Sequence, residues 1–572
     1  MIWESREFPR EAIESLSDQL KVSPTLATLL LRIGICDPDD AARFIHPDLN
    51  DLEDPFYLKN IDRAVQRLYK AMKGGESIVV QGDYDVDGIT STVLFVSILR
   101  KLKLSVRYFV ARRKEEGYGL SRASIDRSLE NGVPDIFVAL DCGTNSTEEV
   151  DYLNSLGVDV IIFDHHRCSK ETPEDCILVN PYISDQKSTP WGQLCSVGLV
   201  FKWMHALVQH LRRESDPLVS KISLRDSLDL VALGTIADLV PLKGENRILT
   251  RFGLLELEKR SRRGIQALCE VSKINPGQAI FSADVSYRLG PRINASGRLA
   301  NAELPIDMLL EDDRSLCKQA AEQLNRLNRQ RQEIERGIVK EATQKANEQL
   351  PDAMGLVVYG VDWHPGVVGI VAGKLCREHN RPSVVLSIEG GEAKGSGRSI
   401  PEVNLLEVLK NFPHLLKHWG GHPRAMGITL ETENLEAFVE AFNLGVGKIL
   451  QNEVPSTTLE IADWISSDAL SEALLRELDC MHPYGEGNPE PIFGIRNTQF
   501  LGRLISFGSE GIHFRFQIPG AHGRLVNGVA WNKGKHLPPV NTPLDLACKL
   551  NWNQWNGRKY MQVELIDWCL PR

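Results

Sequence analysis

Three aspartates crowd one short stretch, SIVVQGDYDVDGITST, at alternate positions: Asp83, Asp85 and Asp87. Like charges this close repel and raise each other's pKa. Bound divalent cations reverse that cost, because a metal inverts the local electrostatics. Further candidates for the same work are Asp141 in VALDCGT, the adjacent His165 and His166 in DHH, and Asp238 in DLVALGTIADLVPL. Asp238 lies in a mostly apolar, helix-like segment, where an unpaired carboxylate is costly to bury. Carboxylate with neutral imidazole suits Mn2+, and carboxylate-rich sites also take Mg2+. No cysteine is placed to favour a thiolate zinc site. Two such cations about 3.5–4 Å apart hold the attacking and leaving oxygens of a phosphoester hydrolysis and acidify bound water. Asp83 either joins the ligands or caps the following turn. Asp164 is expected to orient a histidine by accepting its second ring N–H. Of His165 and His166, one faces the metals and the other reaches the scissile phosphate.

Elements far apart in sequence have to bring these groups together. The apolar runs SIVVQGD, DIFVALD and VDVIIFD alternate with helix-like stretches such as TSTVLFVSILRKLKL. Buried runs alternating with helices predict a parallel sheet covered on both faces. All three runs end in an acid, Asp83, Asp141 and Asp164. In open parallel sheets the ligand crevice lies at the carboxyl ends of the strands, so these acids are expected at one edge.

The fold class expected is a multidomain α/β protein. Residues 1–50 read as a helical lead-in and 51–305 as the catalytic parallel-sheet domain. One long polar helix over 306–350 connects it to a smaller α/β domain over 351–450. A β-rich, barrel-like module follows over 455–572, with a hairpin turn at Asn556–Gly557. The length of 572 residues is consistent with roughly three to five domains. The formal net charge of −10 argues against coating nucleic acid through bulk positive charge, but leaves room for a local basic groove. No apolar run reaches the ~18 residues that span a bilayer, so no membrane partner is expected. The start shows no basic region followed by an apolar one, so no secretory signal is expected. Eleven cysteines without CxxC pairing predict free thiols in a reducing cytoplasm.

GSGRS (with Ser396 and Arg398) and WGGH (with Gly421 and His422) are glycine-rich turns, where backbone N–H groups approach phosphate closely. Arg292 and Arg398 suit bidentate phosphate contacts. Trp552, Trp555 and Tyr560, with Arg558 and Lys559 between them, suit either core packing or a stacking surface for unpaired bases. ARRKEEGYGLS, containing the Arg112–Arg113 pair, reads as a solvated loop with a glycine-rich end.

GDYDVDGITST, VALDCGT, DHH and ALGTIADLVPL resemble, in order, the four motifs of the DHH phosphoesterase superfamily. GPRINASGRL, WHPGVVGIVAGKL, GSGRS, GGHPRAMG and HPYGEGNPEPIF are similar to the later signatures of its bacterial single-strand-specific DNA exonucleases. The resemblance implies a two-metal DHH domain, a long connecting helix, a DHHA1 domain and a C-terminal OB-like β-barrel. It assigns Asp83, Asp85, Asp87, Asp141, His165 and Asp238 to two Mn2+ or Mg2+ ions, with His166 near the phosphate. It gives Arg292, Asn294 and Arg298 to DNA phosphates or the 5′ end. His364, Ser396, Arg398, Gly421 and His422 would close the cleft from the second domain. One departure is Gly397, where alanine is expected. The implied activity is 5′-to-3′ degradation of single-stranded DNA to mononucleotides in repair and recombination, with single-strand-binding protein and a helicase as partners. The alternatives are a phosphoesterase acting on short oligonucleotides or cyclic dinucleotides, and a catalytically silent scaffold.

Overall fold

The computed structural model describes residues 2–112, 116, 119–168, 171–183, 186–300, 302–350, 352–555 and 558–571. Arg113, the Asn556–Gly557 turn and the side chains of Trp555 and Arg558 lie outside them. Two compact units are present, one made of Trp3–Gly290 with Leu459–Arg572, the other of Pro291–Thr458 with Ile2.

The first unit holds a five-stranded, wholly parallel sheet in the order Ser105–Val110, Ser77–Gly82, Ile136–Leu140, Asp159–Phe163, Ile177–Val179. Its central strands are buried along their length, as their unbroken apolar runs require. The chain leaves Ser77–Gly82 towards one edge and returns beside it at Ile136–Leu140, so the strand order reverses between these two. That switch point is where open α/β sheets bind ligands. Asp83 and Asp141 end the two flanking strands.

The same unit contains a seven-stranded sheet in the order Asp463–Ile465, Phe493–Thr498, Leu544–Trp555, Arg558–Cys569, Leu525–Ala530, His513–Pro519, Ile505–Phe507. In His513–Pro519 alternation buries Phe514, Phe516 and Ile518 and turns His513, Arg515 and Gln517 outward. The helical lead-in packs on this sheet: Leu26, Leu30 and Phe44 share one core with Phe493, Phe514 and Leu546. Arg247, buried in the Gly244–Lys259 helix, ties the parts together. Its guanidinium donates to the carbonyls of Phe44 (2.9 Å), Met481 (3.1 Å) and Cys480 (2.7 Å).

The second unit opens with most of the Gly290–Leu299 helix and carries a mixed five-stranded sheet. Its order is His418–His422, Ala425–Glu431, Glu392–Arg398, Ser383–Glu389, Leu356–Val361. The polar helix expected from 306 instead begins at Arg314 and runs to Gln349. A separate helix, Leu304–Leu310, precedes it. The break has a local cause: the Asp313 carboxylate accepts the N–H groups of Ser315 (2.8 Å) and Leu316 (2.9 Å), capping a new helix start.

Candidate metal centre

Each acid at the sheet edge continues the strand ladder through its own N–H: Asp83 to Leu140 O (3.2 Å), Asp141 to Phe163 O (2.9 Å), Asp164 to Val179 O (3.2 Å). Backbone pairing therefore fixes where these carboxylates start. Asp141 also adopts a left-handed backbone, φ 66°, uncommon outside glycine but tolerated by Asp.

Asp85 caps the Val86–Lys101 helix, accepting from the N–H groups of Asp87 (2.9 Å) and Gly88 (3.1 Å). Gly88 is needed for the turn to fold this tightly, since a Cβ there would lie 2.5 Å from Asp83 O. Asp87, one turn in, is buried and accepts from the N–H groups of Ser196 (2.7 Å) and Val197 (2.9 Å). Those two residues begin the Ser196–Arg213 helix, whose positive end suits a carboxylate. Asp238 caps the end of Leu228–Ala237.

These groups converge on His165. Its Nε2 lies 3.3 Å from Asp141 Oδ1, 3.4 Å from Asp238 Oδ2 and 3.8 Å from Asp87 Oδ2. Three overlapping donor sets have atoms mutually within 4.8 Å: Asp83, Asp85 and Asp141; Asp87, His165 and Asp238; Asp141, His165 and His166. His166 Nδ1 is 2.7 Å from Asp164 Oδ1 and 4.0 Å from Asp141 Oδ1. Asp164 also accepts the N–H groups of His165 (2.8 Å), His166 (3.1 Å) and Thr144 (3.0 Å).

The electrostatics of the cluster favour a bound cation. Burial, then the Asp85 charge, pushes Asp87 up to about 6. Burial and then neighbouring carboxylates raise Asp141 and Asp238 well above the usual range. Asp238 Oδ2 is buried with no hydrogen-bond partner among the described residues. Such a set is unfavourable as bare carboxylates and fits divalent cations with oxygen and imidazole ligands. Asp164 behaves differently. Burial acts to raise it, but the charge and hydrogen bond of His166 win and hold it well below the carboxylate range. Burial acts to lower His166, and Asp164 outweighs this, raising it to about 9.

The candidates for phosphate contact lie in the second unit. Arg292 Nε donates to Asn325 Oδ1 (3.1 Å), and Arg298 Nη1 donates to Gly366 O (2.8 Å). Asn294 Oδ1 is buried without a hydrogen-bond partner among the described residues. His364 caps the Pro365–His379 helix through Nδ1, which accepts from Gly366 N–H (3.1 Å). Ser396, Gly427 and Gly420 stand opposite one another across three strands, as do Arg398, Ala425 and His422. All six therefore share one face of the sheet. Gly421 and Gly397 turn to the other face. A Cβ at Gly397 would lie 2.6 Å from the Met426 side chain, so its missing methyl makes room for methionine.

Among the aromatics named from sequence, Trp552 packs against the barrel core, with its indole N–H donating to the Asp479 carboxylate (3.0 Å). Lys559 Nζ lies 4.3 Å over its ring, and Tyr560 is half-buried. An aromatic cluster on the barrel's outer face was not singled out. Phe507, His513 and Trp531 have ring centroids 4.9–5.6 Å apart. Arg515 lies 4.8 Å over Phe507, and Trp531 is 45% exposed. In sequence, residues 500–537 carry Arg503, Arg515, Arg524, Lys533 and Lys535 against Glu510 as the one acid.

The DHH family N-terminal domain matches residues 77–235, the DHHA1 domain 353–447 and the RecJ OB domain 462–567. The single-stranded-DNA-specific exonuclease RecJ of Bacillus subtilis (strain 168) is 33% identical, over 99% of this chain and 70% of that protein. That of Salmonella typhimurium (strain LT2) is 34% identical, over 98% of each. The crystal structure of RecJ from Thermus thermophilus in complex with Mn2+ superposes with a TM-score of 0.82 at 30% identity. That match covers 100% of this chain and 80% of the Thermus one. With its DHH, DHHA1 and OB domains in this order and relatives alike along the whole length, the chain belongs to the RecJ family of single-stranded-DNA-specific exonucleases.

Proposed function

We propose that the chain is a metal-dependent exonuclease that degrades single-stranded DNA from the 5′ end to mononucleotides. The observation that carries this reading is the convergence of Asp87, Asp141 and Asp238 on His165 Nε2 at the switch point of the parallel sheet. Asp83, Asp85, Asp87, Asp141, His165 and Asp238 would hold two Mn2+ or Mg2+ ions, the metals of the Thermus relatives. Divalent cations bound there supply the positive charge that polarises a phosphodiester and acidifies water. Asp164 orients His166 through Nδ1, which would leave the other ring nitrogen to donate to the scissile phosphate. Arg292, Asn294 and Arg298 would hold DNA phosphates or the 5′ end, and His364, Ser396, Arg398, Gly421 and His422 would serve the substrate from the second domain.

The strand leaving the metal centre runs over the outer face of the barrel, where Phe507 and Trp531 stack bases and Arg515 meets phosphate. The local excess of positive charge in a chain of net charge −10 supports that path. We place the protein in the cytoplasm, with single-strand-binding protein and a helicase as partners in repair and recombination. Its eleven free thiols fit a reducing compartment, and no described helix is long and apolar enough to cross a membrane.

The test is a time course on end-labelled oligonucleotides. A 5′ label is expected to appear at once as mononucleotide, a 3′ label only late, and neither with duplex or chelator. Immediate release of the 3′ label, or degradation unaffected by chelator, would overturn the reading.

A further inference from the structure

We infer that Ser196 is a positioning residue that fixes two carboxylates of the metal centre at once. It begins the Ser196–Arg213 helix and is completely buried. Its N–H donates to Asp87 Oδ2 (2.7 Å), and its hydroxyl donates to Asp141 Oδ1 (2.9 Å). Asp87 belongs to the donor set with His165 and Asp238; Asp141 belongs to the set with Asp83 and Asp85. Since Asp141 also belongs to the set with His165 and His166, one residue touches all three donor sets.

The two bonds differ in what they ask of the sequence. Any residue other than proline offers an N–H at the first helical position. Only a hydroxyl adds the second bond. Asp141 needs it: the left-handed backbone aims its Cβ, but the carboxylate still turns about its side-chain torsions. The Ser196 hydroxyl holds Oδ1 at the atom that also lies 3.3 Å from His165 Nε2. Asp141 is only 1% exposed, so solvent has little room to replace that bond. Hydrogen bonds to ligating carboxylates set ligand orientation and so metal affinity.

The inference rests on the metal-centre reading, and the test separates the two. Mn2+ is titrated calorimetrically into the metal-stripped full chain and its variants, and the metal-free melting temperature is recorded for each. Ser196→Ala is expected to bind Mn2+ about tenfold or more weakly, while the metal-free melting temperature records separately the cost of the lost buried hydrogen bond. Ser196→Thr, which keeps the hydroxyl, is expected to return to the parental affinity. Parental affinity in Ser196→Ala overturns the inference, and so does a threonine variant as weak as the alanine one. A parent chain that takes up no Mn2+ overturns the metal-centre reading itself. If Ser196→Ala does not fold, Ser196→Gly removes the same hydroxyl and carries the same comparison.

Discussion

His166 Nδ1 and Asp164 Oδ1 lie 2.7 Å apart, and the same carboxylate gathers the backbone N–H groups of His165, His166 and Thr144. Asp164 thus shapes the loop that carries both histidines as well as orienting the ring of one. Asp164→Asn puts an amide donor where some of these N–H groups point. It is expected to cost about 1–3 kcal/mol of stability and about 10–100-fold in metal affinity or turnover. Urea titration and single-turnover kinetics measure the two effects.

Removing one of the proposed ligands should separate binding from chemistry. Asp141→Ala is expected to abolish hydrolysis while single-stranded DNA binding persists. Metal should also stabilise the fold: at a hundredfold excess over Kd, Mn2+ adds about 2.7 kcal/mol, which the variant loses in large part. Thermal melts with and without chelator check this.

The two aromatic regions of the barrel should respond oppositely. Trp531→Ala is expected to weaken binding of long single strands by about 1–3 kcal/mol and to leave hydrolysis of very short oligonucleotides unchanged. Trp552→Phe removes the indole bond to Asp479 and is expected to cost about 1 kcal/mol or more of stability, with DNA affinity retained. Fluorescence anisotropy and denaturant titration tell them apart.

His482 gives the fold an acid limit. Burial, then the nearby Arg251 and Arg247 charges, lowers it from 6.5 to about 4. Above about pH 6.5 it is neutral in both folded and unfolded chains, and stability is fully present. As pH falls from there to about 4, only the unfolded chain takes up the proton, so stability declines by up to about 3 kcal/mol. His205 is lowered to about 4 as well and titrates over the same window. His482→Phe, whose ring still faces Phe281 and Tyr484, is expected to flatten its share of that decline in melting curves from pH 7 to 4.

The acids at the strand ends were legible because two rules act together. Unbroken apolar runs mark parallel strands, and in such sheets every strand delivers its carboxyl end to the same edge. Ser196 was not legible. A serine at the start of an apolar helix looks like any cap, and its partners stand 109 and 55 positions away. The break before Arg314 was missed because Glu311–Asp313 reads as one more polar patch until Asp313 is seen accepting two N–H groups. The Phe507, His513 and Trp531 cluster spans separate strands, so its members meet only once the register is set.

Residue type and spacing alone settled which groups could carry charge chemistry, and that a parallel sheet would collect them. Tertiary structure alone decided which donor faces which. Alternation and helical period follow from local backbone geometry, whereas contacts such as Arg247 with Met481 depend on how distant surfaces pack. The packing of the lead-in helices on the barrel core has the same origin: their apolar face states that they are buried, not against what.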